Sequence, residues 1–278
     1  MQYAIPQHAV SRVVYRATRS RRAWLKDRLI RAFLRMFAVD MSEARDPDPH
    51  RYPSFNEFFT RELRAGLRPL ASEADAIVSP VDGTVSATGA ISGGTLIQAK
   101  GQSYTLASLL AGAETWVESF RDGSFATIYL APYNYHRVHV PLDATLREAW
   151  YVPGRLFSVN AATTRAVPRL FARNERIVCL FDTPAGPMAE ILVGALNVGS
   201  LSTVWHGEVT PRARRVVTRL PEPTAGAALR RGAEMGRFNM GSTVILLFGP
   251  GGAHWEADLA ADRVVRVGER IGRWRQPS

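Results

Sequence analysis

A serine that directly follows a glycine, at the entrance to a strongly apolar stretch, is the first candidate for chemistry in this sequence. Gly241-Ser242 precedes the uncharged run 243–248, whose β-branched and aromatic residues predict a buried strand. Because glycine has no Cβ, the carbonyl of Gly241 is open to close approach and its backbone can adopt strained angles. The pair is therefore either an ordinary turn before a strand or a peptide bond that the Ser242 hydroxyl can attack.

An aspartate and a histidine elsewhere in the chain would complete a nucleophilic arrangement with Ser242. Asp82 stands in the dipeptide Asp82-Gly83, and His139 lies at the edge of a predicted strand. A histidine can take the serine proton while an aspartate stabilises the imidazolium, in any chain order. By default Asp-Gly is only a turn. No Gly-x-Ser-x-Gly sequence surrounds Ser242, which argues against an α/β-hydrolase.

His136 and His139 are a second pair with a suggestive spacing. On a helix, residues three apart share a face and can bind a metal ion. Pro132, Val138 and Pro141 favour a strand, on which these histidines face opposite ways. No His-Glu-x-x-His sequence or cysteine cluster completes a metal site, so we predict no metal ion. The two histidines are expected to serve separate tasks, or one of them is structural.

Composition restricts the partners and the compartment. The 278 residues include 35 Lys and Arg against 25 Asp and Glu, a net charge of +10, which favours nucleic acid or anionic lipid. Basic and aromatic residues do not alternate as they do in RNA-binding proteins, so nucleic acid is disfavoured. The sequence contains neither a signal-peptide apolar region nor a spanning segment. The single Cys179, in an apolar run, indicates a buried thiol and a reducing compartment.

The elements that must position these residues are mostly short strands separated by glycine and proline. They predict an α+β fold with a mainly antiparallel β body and N-terminal helices. Strands are expected at 125–130, 137–140, 145–152, 176–181, 188–196, 201–208, 243–248 and 263–267. Ser54 with Glu57 is a capping box for a short helix, and Thr105 is expected to cap another.

The helical pattern over 21–37 has two different faces. At 100° per residue, one half carries Leu25, Leu29, Ile30, Phe33, Leu34, Met36 and Phe37. The other half carries Arg21, Arg28, Arg31 and Arg35, and Trp24 lies near the start. This pattern is typical of an amphipathic helix lying in the membrane interface. The alternative is a helix that packs on the protein's own core and exposes its arginines to solvent.

Longer motifs occur together in one order along the chain. They are Phe58-Phe59-Thr60-Arg61-Glu62-Leu63-Arg64, Pro80-Val81-Asp82-Gly83, Gln98-Ala99-Lys100-Gly101, residues 135–141, residues 151–160, Phe171-Ala172-Arg173-Asn174-Glu175-Arg176, Glu234-Met235-Gly236-Arg237-Phe238 and Gly241-Ser242-Thr243. With this combination, from about residue 55 to 270, the sequence resembles the bacterial phosphatidylserine decarboxylase proenzymes of the membrane-associated type. Met240 departs from the leucine that members commonly have there; the similar volume predicts little consequence.

The resemblance implies that the chain cuts itself between Gly241 and Ser242. Asp82 and His139 would activate the Ser242 hydroxyl, and the products would be a large chain, 1–241, and a small chain, 242–278. The serine would end as a covalent pyruvoyl group. That group would form a Schiff base with the amine of phosphatidylserine and withdraw electrons while carbon dioxide leaves, giving phosphatidylethanolamine.

Two further residues are assigned to the substrate. By resemblance, His136 serves the decarboxylation step and binds substrate. We add Ser158 as a pocket residue, for which an ordinary turn hydroxyl is the alternative.

The resemblance also implies a setting and a division of the chain. Residues 1–53 would be a basic membrane-association region with a linker, and residues 54–278 a β-rich catalytic domain. The enzyme would be peripheral, on the cytoplasmic side of the cell membrane. Its partners would be phosphatidylserine, an anionic membrane surface and its own small chain, with a homodimer as a compatible assembly and no nucleic acid.

Three other functions compete with this one. A serine hydrolase would use Asp82, His139 and Ser242 on an external ester or peptide. A non-catalytic protein would bind anionic lipid through its basic helix. A decarboxylase of a soluble amino acid is disfavoured by the basic, apolar N-terminal region.

Overall fold

The computed structural model describes residues 7–99, 102–195, 200–209, 216–221, 228–239 and 242–275, and their side chains except those of 7–12, 99 and 242. The helices in these ranges are α1 Gln7–Thr18, α2 Ala23–Met36, α3 Phe55–Phe59, α4 Leu106–Leu109, α5 Ala161–Ala166 and α6 Leu170–Arg173. Single 3₁₀ turns occur at Met41–Glu43, Pro49–Arg51, Glu114–Trp116 and Glu118–Phe120.

The strands are short and follow one another along the chain. They are β1 Ala76–Val78, β2 Gly83–Ala90, β3 Thr95–Ala99, β4 Gln102–Thr105, β5 Ser124–Leu130, β6 Arg137–His139, β7 Ala144–Val152, β8 Arg176–Thr183, β9 Gly186–Val193, β10 Leu201–Thr203, β11 Gly207–Val209, β12 Thr218–Arg219, β13 Ala228–Leu229, β14 Glu234–Phe238, β15 Ser242–Phe248, β16 His254–Trp255, β17 Val264–Val265 and β18 Arg270–Arg273.

A nine-stranded antiparallel sheet forms the centre of the molecule. Its order is β12-β7-β8-β9-β15-β5-β2-β17, and β13 also pairs with β7. Strand β15 lies in the middle, with Val244 opposite Leu192 of β9 and Ile128 of β5. Because both of its edges are paired and its neighbours are apolar, residues 243–248 are buried, as the sequence predicted.

A second, four-stranded sheet of order β11-β10-β14-β6 packs on one face of the large sheet. Gly236 of β14 allows the close approach: a Cβ there would lie 3.4 Å from the Leu192 side chain and 2.5 Å from the Ser202 carbonyl oxygen. A three-stranded sheet, β1-β18-β16, and the β3-β4 hairpin complete the body. The predicted α+β class with a mainly antiparallel body is confirmed.

The N-terminal helices have their own apolar cluster, in which α2 packs on α3. Ile30 is buried, and Phe33 meets the rings of Phe55, Phe58 and Phe59 at 5.4–5.9 Å between centroids. The interior side of α2 is therefore formed by part of the predicted apolar half, for which the packing alternative holds, whereas Met36 of that half is 73% exposed. The division into 1–53 and 54–278 stays a prediction; α2 and α3 make contact across it.

Local signals in the sequence were mostly correct, with one clear exception. Ser54 accepts a hydrogen bond from the Glu57 backbone N–H at 3.2 Å, and Thr105 caps α4 in the same way. Cys179 is buried, and burial raises the pKa of its thiol. The single strand predicted at 201–208 is wrong, because the chain reverses at 204–206 and Gly207 adopts φ +78°.

Candidate active site

Asp82 is held at the end of the turn between β1 and β2. Gly83 allows the start of β2 to press against β5, since a Cβ there would lie 2.5 Å from the Tyr129 carbonyl oxygen. The Asp82 carboxylate accepts hydrogen bonds from Arg68 Nη2 at 2.6 Å and from the Val267 backbone N–H at 2.8 Å. The Asp82 and Arg68 side chains are each 8% exposed, so a buried ion pair fixes this carboxylate.

His139, on β6, lies beside the same turn. Its backbone N–H donates to the Pro80 carbonyl at 2.9 Å. Its Nδ1 lies 2.8 Å from the Gly232 carbonyl oxygen, which can only accept, so Nδ1 carries the proton and Nε2 has the lone pair. Nε2 lies 3.1 Å from the Tyr135 hydroxyl. The ring is therefore oriented by a backbone carbonyl and has a basic nitrogen on its other side.

Asp82 acts on His139 electrostatically. Among the described residues no hydrogen bond joins the two side chains, because Arg68 and Val267 occupy the carboxylate. Burial lowers the pKa of His139, while the Gly232 carbonyl and the negative charges of Glu234 and Asp82 oppose that shift. A neutral imidazole that can still gain a proton near a carboxylate is suited to general-base chemistry.

His136 has a different environment from His139. It is fully buried and stacks on Phe59 of α3, with ring centroids 4.1 Å apart. Its Nε2 lies 3.3 Å from the Pro132 carbonyl oxygen, whereas its Nδ1 has no partner among the described residues. Burial and the nearby Arg61 guanidinium lower the pKa of His136 to about 3. The two histidines thus have separate surroundings, although only His139 lies on strand β6 and His136 directly precedes it.

The segment that carries both histidines also contacts both sides of Gly241-Ser242. Upstream of the pair, Phe238 donates its backbone N–H to the His136 carbonyl at 3.0 Å. Downstream, the backbone of Ser242 pairs with Leu130 at the end of β5. Met240, Gly241 and the Ser242 side chain lie outside the described residues. The candidate cleavage site is therefore bounded on both sides by contacts with residues 130–139.

Ser158 lies in a loop at the same end of the large sheet. It is half-buried, and its hydroxyl oxygen lies 3.5 Å from the Asn160 backbone nitrogen. Asn174 anchors the loop by donating to the Phe157 and Gly194 carbonyls, both at 2.8 Å. Gly194 directly follows β9, the strand in which Val193 pairs with Thr243. Ser158 thus belongs to a loop tied to the strand beside the candidate cleavage site.

Several residues that the sequence did not single out shape this region. Arg68 and Tyr135 bind Asp82 and His139, respectively. Glu175 is 2% exposed, its Oε2 has no partner among the described residues, and burial raises the pKa of its carboxyl to about 7. Tyr135, Asn174 and Glu175 fall inside the recognised motifs, but their partners are distant in the chain. Nothing in the sequence pairs them.

Comparison with known proteins identifies the family. The family described as Phosphatidylserine decarboxylase matches residues 55–273, and a second family description, PSD, matches residues 1–38. The chain belongs to the phosphatidylserine decarboxylase family. It is similar to the phosphatidylserine decarboxylase proenzyme of Methylococcus capsulatus, at 53% identity over 98% of this chain and 94% of the relative. The proenzyme of Alkalilimnicola ehrlichii is 57% identical over 88% of this chain and 85% of the relative.

Family membership decides between the alternatives at the level of reaction class. It confirms the prediction of a decarboxylase in the phosphatidylserine decarboxylase family, and it favours neither a serine hydrolase nor a non-catalytic lipid-binding protein. The relatives are named proenzymes, so they are made as precursors. In the described part of this decarboxylase, no helix has the length and apolar character needed to cross a bilayer.

Proposed function

We propose that this chain cuts its own Gly241–Ser242 bond, converts Ser242 into a pyruvoyl group, and uses that group to decarboxylate phosphatidylserine to phosphatidylethanolamine. The observation that carries the proposal is the pair of contacts made by residues 130–139. One contact binds the chain before the bond, through Phe238, and the other pairs with Ser242 after it. The same segment contains His136 and His139. The proposed base and the proposed substrate residue therefore belong to the segment that contacts the chain on both sides of the bond.

His139 is the proposed base for self-cleavage. Its Nε2 takes the Ser242 hydroxyl proton, with Tyr135 as the group that must move aside or relay it. The alkoxide oxygen bonds to the Gly241 carbonyl carbon, the carbon–nitrogen bond breaks, and the amine leaves with a proton. An ester then replaces the amide. Asp82 is proposed to stabilise the imidazolium electrostatically, since its negative charge, together with the larger effect of Glu234, raises the pKa of His139 against the effect of burial.

The ester is then lost by elimination. A base removes the α-proton of residue 242, the Cβ–O bond breaks, and the Gly241 carboxylate leaves. The dehydroalanine that remains takes up one water and releases ammonia, which leaves a ketone at the start of the small chain. When formed, this pyruvoyl group supplies an electron sink for the bond to the departing carboxylate.

The residues around position 242 fit such a group. Ser242 is the first residue of a strand whose next six residues are buried, so a cofactor formed there would be fixed by the central sheet. Asn239, just upstream, borders a cleft of about 460 Å³ that is also lined by Asn56, Thr60 and Ser202.

His136 is the proposed substrate residue. In the absence of substrate it is neutral, since its pKa is lowered to about 3, and its Nδ1 lone pair is unpartnered among the described residues. A bound anionic substrate would raise that pKa, because an adjacent negative charge favours the imidazolium. His136 could then return a proton to the substrate carbon. Ser158 is proposed as a pocket residue from its place in the loop next to β9.

The small chain is proposed to remain a partner of the large one. Strand β15 of the small chain lies between β9 and β5 of the large chain. In addition, β17 pairs with β2, and β18 pairs with β1. Cleavage before residue 242 would break none of these ladders.

Attachment to the cytoplasmic face of an anionic membrane is proposed for the N-terminal helices. Arg21, Arg28, Arg31 and Arg35 are exposed on the outer side of α1–α2, and Trp24 is 65% exposed. Each basic residue near an anionic surface contributes about 1 kcal/mol, and a tryptophan adds interfacial anchoring. Because Ile30 and Phe33 pack on α3, the attachment is chiefly electrostatic.

The direct test is intact-mass measurement of the purified protein under denaturing conditions. We expect two chains, with the smaller one carrying an N-terminal pyruvoyl group. Ser242→Ala should give one uncut chain of 278 residues. A fluorophosphonate probe should leave the mature enzyme unlabelled, whereas a serine hydrolase would be labelled at Ser242. A Ser242→Ala protein that is cut normally would exclude this mechanism.

A further inference from the structure

Asn239, two residues before the proposed scissile carbonyl, is held unusually firmly. It is 4% exposed, and its backbone N–H donates to the Ser200 carbonyl at 3.2 Å. Its own carbonyl accepts a hydrogen bond from Asn56 Nδ2 of α3 at 2.9 Å. Its side-chain Nδ2 donates to the hydroxyls of Ser200 at 2.7 Å and Ser202 at 3.0 Å. The peptide and the side chain of Asn239 are thus fixed from three directions.

The same network reaches the end of α1. Glu208 of β11 accepts from Asn239 Nδ2 at 3.4 Å and also from the Ser200 hydroxyl. Arg19, directly after α1, forms an ion pair with Glu208 and donates to the Ser200 hydroxyl at 2.9 Å. The Tyr15 ring lies 3.8 Å from the Arg19 guanidinium. Contacts therefore run without a break from α1 to the residue that leads into the scissile bond.

The position of the chain just before the Gly241–Ser242 bond affects the rate of self-cleavage. Attack by Ser242 needs its hydroxyl near the Gly241 carbonyl in a narrow range of approach, and a misplacement of about 1 Å can cost about 100-fold in rate. Downstream, the strand pairing of Ser242 with Leu130 fixes one side of the bond. Upstream, the β14 ladder ends at Phe238, so Asn239 is the last described residue able to fix the other side.

We propose that Asn239 is a positioning residue for self-cleavage, and that Arg19 and Asn56 hold it there, so that the chain cuts itself efficiently only after its N-terminal helices have docked. This inference rests on the proposed self-cleavage. It extends that proposal by giving the N-terminal helices a task in maturation that is separate from membrane attachment.

The test follows maturation of newly made full-length chain in cell-free synthesis without membranes, by a chase on denaturing gels. Asn239→Ala should slow cleavage by at least about tenfold, equivalent to about 1.4 kcal/mol in activation free energy. Arg19→Ala should slow it in the same direction but less, because the Arg19 side chain is 23% exposed, and Arg19→Lys should recover part of the rate. Added hydroxylamine, which cuts an accumulated ester, should not restore the rate, since the affected step precedes the ester.

Two matched controls separate positioning from other effects. Arg16→Ala removes the same charge from an exposed site on α1 and should mature normally. Val204→Ala shortens a half-exposed side chain that borders a cleft together with Asn239, and this variant should also mature normally. In the Arg19 variants, the decarboxylation rate per processed chain should change far less than the cleavage rate. A general destabilisation of the fold would instead lower both rates together.

Each result bears on one proposal. If the unsubstituted chain is not cut, the proposed function itself is wrong. If it is cut and Arg19→Ala and Asn239→Ala mature at the same rate as it does, the positioning role is wrong while self-cleavage stands. If Asn239→Ala does not fold, the cleavage rate of Arg19→Ala decides whether the positioning role stands. If Arg16→Ala slows cleavage as much as Arg19→Ala does, the loss of positive charge explains the effect, and the proposed role of the contact with Ser200 and Glu208 is wrong.

Discussion

At the scale of single residues, the two histidines differ in what each nitrogen contacts. His139 has its Nδ1 proton fixed by a carbonyl and a basic Nε2, whereas His136 stacks on Phe59 with an unpartnered Nδ1. These surroundings support the proposal that His139 is the base for self-cleavage and that His136 meets the substrate. A swap of the two roles would need both rings to change partners.

We expect His136→Ala to mature normally but to decarboxylate phosphatidylserine at least about 100-fold more slowly, the usual contribution of a general acid or base. His139→Ala should instead remain largely uncut. Denaturing gels report maturation, and release of labelled carbon dioxide per processed chain reports turnover. An uncut His136→Ala chain would show that the histidine roles are reversed.

Glu175 should make the stability of the folded chain depend on pH. Burial raises the pKa of its carboxyl from 4.5 to about 7, so the folded state retains a proton that the unfolded state loses. The contribution of Glu175 to stability is therefore constant below about pH 4.5, falls as the pH rises toward 7, and levels off above it, a loss of about 3 kcal/mol. This contribution decreases with rising pH; buried Glu190, whose pKa is also raised, contributes with the same sign, and His136, whose pKa is lowered, contributes with the opposite sign.

The matching experiment uses urea unfolding of the uncut Ser242→Ala chain between pH 5 and 8. Adding Glu175→Gln should remove the Glu175 contribution, because the amide stays neutral throughout, so the free energy of unfolding of this variant should rise relative to that of the Ser242→Ala chain as the pH rises. Glu118→Gln, at a side chain that is 76% exposed, is the control and should leave the profile unchanged. Parallel curves for the Glu175 and Glu118 variants would contradict the assignment.

At the scale of elements, α2 has two faces with different partners. Its apolar face is used inside the molecule, where Phe33 meets Phe59, and Phe59 in turn stacks on His136. Its outer face presents exposed arginines and Trp24. Removal of the whole helix would therefore disturb the proposed active site as well as the proposed membrane contact. Point substitutions on the outer face test the membrane contact separately.

We expect Trp24→Ala and the double change Arg28→Gln with Arg31→Gln each to weaken flotation with anionic vesicles. The arginine pair should account for about 2 kcal/mol, and its effect should shrink in high salt. Ile97→Ser, at a side chain 57% exposed on β3, is the control for loss of an exposed apolar group and should float normally. Unchanged flotation of both α2 variants would remove this face from the proposed membrane contact.

At the scale of the whole molecule, the proposed small chain, which begins at Ser242, is part of two sheets. Its strands β15, β17 and β18 pair with β9, β5, β2 and β1 of the large chain. Its buried residues Val244, Leu246 and Phe248 belong to the central apolar core. Separation of the chains would therefore expose the centre of the molecule.

We expect the processed chains to stay together until the protein unfolds. Native mass measurement should give one species whose mass is close to the sum of the two chains, and denaturing conditions should separate them. Release of 242–278 under native conditions would show that the sheet pairing does not hold the cleaved molecule together.

Much of this arrangement was predictable from the sequence, because it depends on local patterns. The run 243–248 predicted a buried strand, Ser54 and Glu57 predicted a cap, and the prolines near His139 predicted the strand on which it lies. The motifs identified the family from residues that the sequence alone contains. These features need no knowledge of distant partners, since periodicity, turns and caps act within a few residues.

The tertiary structure decided which groups contact one another. In the fold, Asp82 pairs with Arg68, the Gly232 carbonyl orients His139, and the apolar face of α2 packs on α3. It also connected Arg19 to Asn239 through the Ser200 hydroxyl, to which both side chains donate. These contacts link segments far apart in sequence through burial and hydrogen-bond geometry, which the order of residues does not encode locally. The sequence alone identified Gly241-Ser242 as a cleavage candidate. Only the fold showed that residues 130–139 contact the chain on both sides of it.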